Sequence, residues 1–588
     1  MSRLAFAVIR PRGGPLGLHG TAPLSLWSRD IACSRARPPL RSDSWRAGRA
    51  IRSLNTRSFQ TEVVSERVGI DPALVVPRPN AAPKPEPSAQ VVSRPFGITE
   101  RYFLDIRGPH GYSDPFITIS IDTSSGTARI SNEQVVLTWA AIRLRHTLLA
   151  SRVQSTPQGP SFVYLPPLTK AHALRQARMN IDFEEDSDRA TWLGALHNRW
   201  WGNALDDVLD IRSEIYKLAW LEEAGHEPGG ERRYAFGIQT THFAVDGLGM
   251  CDVAGQFTEL LADPGRAEAE LDEYFANPKP RLPDAYENLL PEPDAAFPEE
   301  KQKALEAYKA LMASGNDPSV TGILPDGNSK DENVEPNIIR YAWSEEQSRA
   351  IVAACKKHHV TVTQLACAAL VVAAAEARPG RDIQNPIFKH HLPIDLWPRA
   401  RSDPRGIAVR MAHYPMFIRA PSLAGLNTKE GLHAAILEVA KQCKDGHAGV
   451  VNSPYFWHII RHYLLDCQRM IDSLAADASI LDKIPFFPLF SSMGDLNKLV
   501  PGTLRAIPPP ETTVGAAFHP DSRSEGEIRV PDVTVNLKVA PALAIVHVWT
   551  FNKKMTIQFK HNKAWATPEV VDPYLERIVE ILTSFSES

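Results

Sequence analysis

Hydrophobic positions along the chain change their period at Gly247. Over residues 232–242 they alternate, with Tyr234, Phe236, Ile238, Thr240 and His242 on one parity, as in a half-buried strand. Beyond Gly247 the spacing becomes three and four, through Met250, Cys251, Ala254, Phe257, Leu260 and Leu261, the period of a helix with one apolar face. His242 is therefore expected where a strand ends and a turn begins. The same pattern predicts strands over 117–121 and 162–165, and a helix over 133–153 with Leu137, Ala140, Ala141, Leu144 and Leu148 on one side. Helical stretches are expected across 188–222.

Two capping boxes, Ser344-x-x-Gln347 and Thr361-x-x-Gln364, each predict a helix start. The second helix, over 363–377, is Ala- and Val-rich on every side and should be buried. Apolar runs over 544–551 and 555–559 flank Asn552-Lys553-Lys554, a hairpin signal. Asp572-Pro573 reads as an N-cap followed by proline at the first position of a last helix. Strands and helices thus mix in both halves, which makes the fold class α/β.

A chain of 588 residues exceeds one compact core, and its punctuation suggests where it divides. Residues 1–60 are an Arg-rich segment to be set apart from the fold. Residues 61–97 form a linker, with seven prolines between Asp71 and Pro95, so that folding starts near Phe96. A first lobe is expected over 98–314, a crossover over 315–337 where apolar periodicity fades, and a second lobe over 338–588.

Composition narrows the function classes. The net charge of −3 conceals 11 Arg in residues 1–60 against Asp30 and Asp43, leaving 54 basic and 66 acidic residues beyond them. A body that acidic excludes a global nucleic-acid footprint. The N-terminal composition is that of a mitochondrial transit peptide or of an unstructured tail, so the expected location is cytoplasmic or mitochondrial. Six scattered cysteines without a C-x-x-C pair indicate neither a zinc ribbon nor a disulfide framework. The apolar run over 365–375 is too short to span a bilayer, which needs about 20 residues. A monomer without metal is expected.

The chemistry concentrates in His242-Phe243-Ala244-Val245-Asp246-Gly247. A neutral imidazole can take a proton from an alcohol or amine near neutral pH and return it later. Asp246 can orient that imidazole, or it can point away and hold the loop through an arginine. Gly247 is read as permitting a turn closed to other residues.

These residues match the H-x-x-x-D-G signature, and the chain resembles the CoA-dependent acyltransferase superfamily, which includes chloramphenicol acetyltransferase, plant BAHD transferases, fungal trichothecene acetyltransferases and peptide-synthetase condensation domains. Residues 137–152 resemble the family's early helix, and His391 to Arg399 resemble a strand that follows the start of its second domain. The resemblance implies two similar α/β lobes, each a mixed sheet with helices, with an active-site tunnel between them. It implies His242 as general base, direct transfer without an acyl-enzyme, and Asp246 as a structural residue bound to an arginine, for which Arg399 and Arg401 are the candidates. Acetyl-CoA or another acyl-CoA would be the co-substrate, with no bound cofactor, and a small-molecule alcohol the acceptor. In place of a D-F-G-W-G motif stands Phe490-Ser491-Ser492-Met493-Gly494-Asp495, whose Ser491 and Ser492 are oxyanion-donor candidates or members of a plain polar turn. Thr241 stands where condensation domains carry a second histidine, which favours O-acyl transfer. The alternatives are a stand-alone condensation enzyme fed by a carrier protein and a non-catalytic two-lobed binding protein.

The pairs His358-His359 and His390-His391 do not suggest a metal site, because neighbouring side chains on a strand point to opposite faces. His547 and Trp549 share a strand face and line either the tunnel or the core.

Overall fold

The computed structural model describes residues 91–587, apart from 186–187, 203–206, 226–229, 290–297, 328–334, 378–384, 400–406, 423, 477–485, 508–525 and 541. The Arg-rich segment, most of the Pro-rich linker and Arg401 lie outside the described residues.

The chain opens with strand β1 (Val92–Pro95), helix α1 (Ile98–Arg107) and strand β2 (Pro115–Thr123). Helix α2 (Asn132–Arg145) precedes the hairpin β3 (Ser151–Thr156) and β4 (Gly159–Tyr164). Next come α3 (Lys170–Met179), β5 (Ile181–Glu185), α4 (Arg189–Trp201), β6 (Tyr216–Glu222) and β7 (Arg232–Thr240). Helices α5 (Gly247–Ala262), α6 (Pro264–Ala276), α7 (Tyr286–Leu289) and α8 (Pro298–Ala313) lead onward. The second half begins with β8 (Val320–Thr321), β9 (Pro336–Ala342), α9 (Glu345–Lys357) and α10 (Val362–Ala377). It continues with β10 (Ile387–Asp395), β11 (Met411–Arg419), α11 (Lys429–Val451) and α12 (Phe456–Ala476). The closing elements are β12 (Leu489–Asp495), β13 (Thr503–Ala506), β14 (Gly526–Leu537), β15 (Ile545–Phe551), β16 (Lys554–Asn562) and α13 (Pro568–Phe585).

Two larger sheets carry the fold. The first runs β13-β14-β2-β7-β6-β5 and the second β12-β15-β16-β9; smaller sheets are β1-β4-β3 and β11-β10-β8. One apolar core gathers on Ile117, Ile119, Phe236 and Ile238, and another on α10, whose residues from Leu365 to Ala375 are all buried. Among the described residues no single helix is long and apolar enough to cross a membrane.

Several expectations hold in detail. Ser344 and Thr361 each exchange capping hydrogen bonds with Gln347 and Gln364. Asn552 and Lys553 adopt φ of 46° and 64°, the left-handed conformation that a tight hairpin between β15 and β16 requires.

Others need correction. The helix read over 133–153 stops at Arg145, and after a 3-10 turn the chain becomes β3, whose outer residues alternate in exposure. The stretch read as helical to 222 ends as the strand β6, an almost wholly buried run whose pattern does not separate the two periods. The last helix starts at Pro568, five residues before Pro573, which sits inside it. The described fold opens close to Phe96, as expected, but with β1 inside the stretch read as linker, since its residues pair with β4. The division into lobes is not linear either, because β13 and β14, from the C-terminal part, belong to the first sheet, where Thr534 stands opposite Thr118 and Asn536 opposite Phe116.

That exchange leaves part of β14 with a free side, and the second sheet caps it. Lys560 Nζ and Gln558 Nε2 donate to the Val535 carbonyl at 2.8 and 3.1 Å, and Arg340 pairs with Asp532 at 2.6 Å. Edge groups that would stay unpaired are thereby satisfied.

Helix α5 is pinned with less tolerance. A Cβ on Gly255 would lie 1.8 Å from the Leu499 carbonyl oxygen, in the segment after β12, so only glycine allows this approach. Gly255→Ala is expected to cost about 3 kcal/mol or more, the upper range for overpacking. Gly194→Ala in α4, with nothing within 4 Å of the new Cβ, should stabilise by about 0.4–1 kcal/mol. Denaturant unfolding of both variants checks the pair, and a tolerated Gly255→Ala contradicts the packing described.

Candidate active site

Strand β7 runs through the first sheet, and its residues from Tyr234 to Thr240 are all buried. The strand ends at Thr240, where a turn closes with the Ala244 N–H donating to the Thr241 carbonyl at 3.0 Å. Phe243, Ala244 and Val245 are 0% exposed, so three successive apolar side chains anchor the turn in the core and His242 remains partly exposed.

Asp246 closes the loop. Its Oδ1 accepts from the Gly249 N–H at 2.8 Å, capping α5, and its Oδ2 accepts from the backbone N–H of Arg410 at 2.8 Å. The carboxylate therefore serves both the first-lobe helix and the segment that enters β11. It does not orient His242. Burial pushes its carboxyl up to about 6, against those two N–H donors and the nearby Arg410 guanidinium.

The arginine found at Asp246 among the described residues is Arg410, not Arg399, while Arg401 lies outside them. Arg410 is buried, with its guanidinium 4.7 Å from the Trp397 ring. Arg399 instead donates to the Val451 carbonyl at 3.2 Å and lies over Phe456. Gly247 also has a different role from the one expected. Its φ is not positive, and a Cβ there would meet Met493 Cε at 2.8 Å, so its small size admits the neighbouring β12 side chain.

The His242 imidazole stacks on Phe103 of α1, with ring centroids 4.0 Å apart and planes at 5°. Burial lowers its pKa to about 4, partly offset by backbone groups of His242 and Val245. The ring is thus neutral at physiological pH. Its Nδ1 is buried, which leaves Nε2 as the nitrogen available to a ligand. His413 of β11 and His547 of β15 lie close enough to feel its charge.

The two serines separate. Ser491 stands beside His547 in the parallel register of β12 and β15 and touches Met493 Sδ at 3.6 Å, so it shares the side that approaches the His242 loop. Ser492 faces the other way and bonds Thr363 Oγ1 at 2.8 Å, at the start of α10. Phe103, Tyr102, His413 and Tyr463 were not foreseen. Nothing in their spacing marks them, because they converge from three elements distant in sequence. The adjacent histidines do split across β10, with His390 buried against Cys367 at 3.3 Å and His391 bonded to Tyr463 at 2.6 Å. Among the described residues no group of three His, Cys, Asp or Glu could hold a metal, and the five described cysteines are free thiols.

No protein-family model and no curated protein matches the chain. Solved structures do. TRI3 trichothecene 15-O-acetyltransferase from Fusarium sporotrichioides matches at 17% identity and a TM-score of 0.67, over 85% of this chain and 96% of that one. SgcC5 from Streptomyces globisporus matches at 12% identity and 0.52, over 84% and 99%, and the condensation domain of the Monacolin K polyketide synthase MokA at 12% and 0.51, over 84% and 98%. The chain thus shares the mixed α/β fold of these three structures.

Two measurements test the site. NMR titration should place the His242 midpoint near 4; a midpoint at or above 6.5 contradicts the buried, stacked ring. Asp246→Asn can accept from only one of the two N–H groups and turns an NH2 toward the other, so unfolding free energy should fall by about 1–3 kcal/mol. An Asn variant as stable as the parent removes the strut.

Proposed function

We propose that the protein is an acyl-CoA-dependent O-acyltransferase, with acetyl as the acyl group and a hydroxyl of a small secondary metabolite as acceptor. The observation that carries this reading is a neutral, partly exposed His242 on a loop held by Asp246 to both the first-lobe helix and the segment entering β11. The likeness of the fold to an O-acetyltransferase supports it.

The geometry supports the following roles. His242 Nε2 takes the proton of the acceptor hydroxyl as its oxygen attacks the thioester carbonyl. A tetrahedral oxyanion forms, and Ser491 is the serine that can donate to it, a contribution of about 2.7–4 kcal/mol when well placed. The carbon–sulfur bond then breaks, and the CoA thiolate recovers the proton from the imidazolium. No covalent acyl group passes through the protein. Because desolvation keeps the ring unprotonated, the lone pair is free before substrate arrives. Asp246 acts only by holding the loop. Ser492, bonded to Thr363, takes no part.

The likeness to condensation domains supports a second donor, an acyl group on a carrier protein. Comparing free acyl-CoA with acyl-carrier protein separates the two, and Thr241, buried in place of a second histidine, favours free CoA.

His242→Ala should keep the fold by circular dichroism and lower thiol release from acetyl-CoA, with pooled alcohols as acceptors, by about 10² to 10⁴. Release at the parent rate overturns the assignment.

A further inference from the structure

We propose that the side of β10 and β11 that carries Lys389, His391 and His413 binds a carboxylate carried by one of the two substrates, either the acyl group or the acceptor. This deepens the acyltransferase reading and rests on it for the names of the substrates.

Lys389 stands opposite Phe417, His391 opposite Pro415 and Pro393 opposite His413. Opposed residues of an antiparallel pair share a face, so Lys389, His391 and His413 lie together on one side of the sheet. The other side, with Phe388, Leu392, Tyr414 and Met416, is buried in the second core. The basic side is only half-buried.

It is also continuous with the base. Tyr463 of α12 bonds His391 Nδ1 at 2.6 Å, and its ring lies 5.6 Å from that of His413. Tyr102 of α1 lies 5.3 Å from His413, and the next residue, Phe103, is 6.4 Å from His413 and 4.0 Å from His242. A ligand resting on this wall therefore reaches His242 past a single ring.

What the wall lacks is an opposite charge. Among the described residues Lys389 and His413 have no hydrogen bond or ion pair, and the carboxylates nearest in sequence are engaged elsewhere. Asp395, at the end of β10, accepts the Trp397 N–H at 2.9 Å. Asp466 of α12 accepts from Tyr308 and pairs with Arg469 at 2.7 Å. Burial, and then mutual repulsion among Lys389, His391, His413 and His242, holds the histidines toward their neutral forms, and burial lowers Lys389 as well. A Lys389 without a counter-ion among the described residues, beside two neutral imidazoles and aromatic walls, suits an anion on an apolar body. The phosphates of CoA stand at the far end of its pantetheine arm from the reacting carbonyl, so they do not reach this wall. A carboxylate of the acyl group or of the acceptor does.

Calorimetric titration of the full chain with two matched pairs tests this: malonyl-CoA against acetyl-CoA, and 4-hydroxybenzoate against its methyl ester. In at least one pair the carboxylate should bind about tenfold more tightly to the parent. The preference should vanish in Lys389→Met and in His413→Gln, and persist in Lys389→Arg. A preference for malonyl-CoA assigns the carboxylate to the donor, and one for hydroxybenzoate assigns it to the acceptor. Equal or absent binding within both pairs overturns the proposal, as does a preference that survives in folded Lys389→Met. Binding is read without turnover, so a charge preference without thiol release from any donor leaves the subsite and removes the acyltransferase reading. Thiol release without a charge preference does the reverse.

Discussion

Everything at the centre of this molecule hangs on one carboxylate that serves two backbone N–H groups from distant parts of the chain. Asp246 takes the Gly249 amide on one oxygen and the Arg410 amide on the other. The first bond starts α5 and the second fixes the strand entry beside it. A buried carboxylate without such donors would be costly, and here both oxygens are used. His242, four residues earlier, inherits its position from that joint and from Phe243, Ala244 and Val245 in the core. The proposed division of labour rests on this: Asp246 holds the loop and leaves His242 to act as the base.

The joint is not alone in binding the halves. Strands β13 and β14 leave the second half of the sequence to complete the first sheet, and Lys560, Gln558 and Arg340 reach across from the second sheet to β14. Lys560 and Gln558 are buried and stable only when paired, so with the exposed Arg340–Asp532 pair at its rim the seam fixes one relative arrangement of the two sheets. Met493 against Gly247 and Leu499 against Gly255 add contacts that tolerate no larger residue without a shift in the neighbour. Under the proposed function, a base that has to meet two substrates gains from walls so placed.

Much of this was legible in the sequence wherever the information is local. The change of period at Gly247, the two capping boxes and the turn at Asn552 each depend on residues within one turn of each other, and each appears where expected. The run Tyr216–Glu222 misled because a strand buried on both faces has no alternation to read. Pro573 misled because proline at a first helical turn and proline inside a helix look alike without the preceding cap. The Arg410 amide was not legible because a backbone N–H carries no residue signature, whereas the resemblance implied only an arginine side chain. Arg410 is an arginine, yet it is its backbone amide that donates to the carboxylate. The pairing of β14 with β2 and the convergence of Phe103, His413 and Tyr463 on His242 depend on long-range packing, which no short pattern encodes.

The central claim is that His242 moves the proton of the acceptor beside a thioester held in the cleft. A crystal structure of the protein with CoA and a bound alcohol tests this most directly. The account requires the alcohol oxygen within about 2.6–3.2 Å of His242 Nε2 and the CoA sulfur adjacent to it. CoA bound away from the His242 loop, or an imidazole whose Nε2 is turned from both ligands, would contradict it.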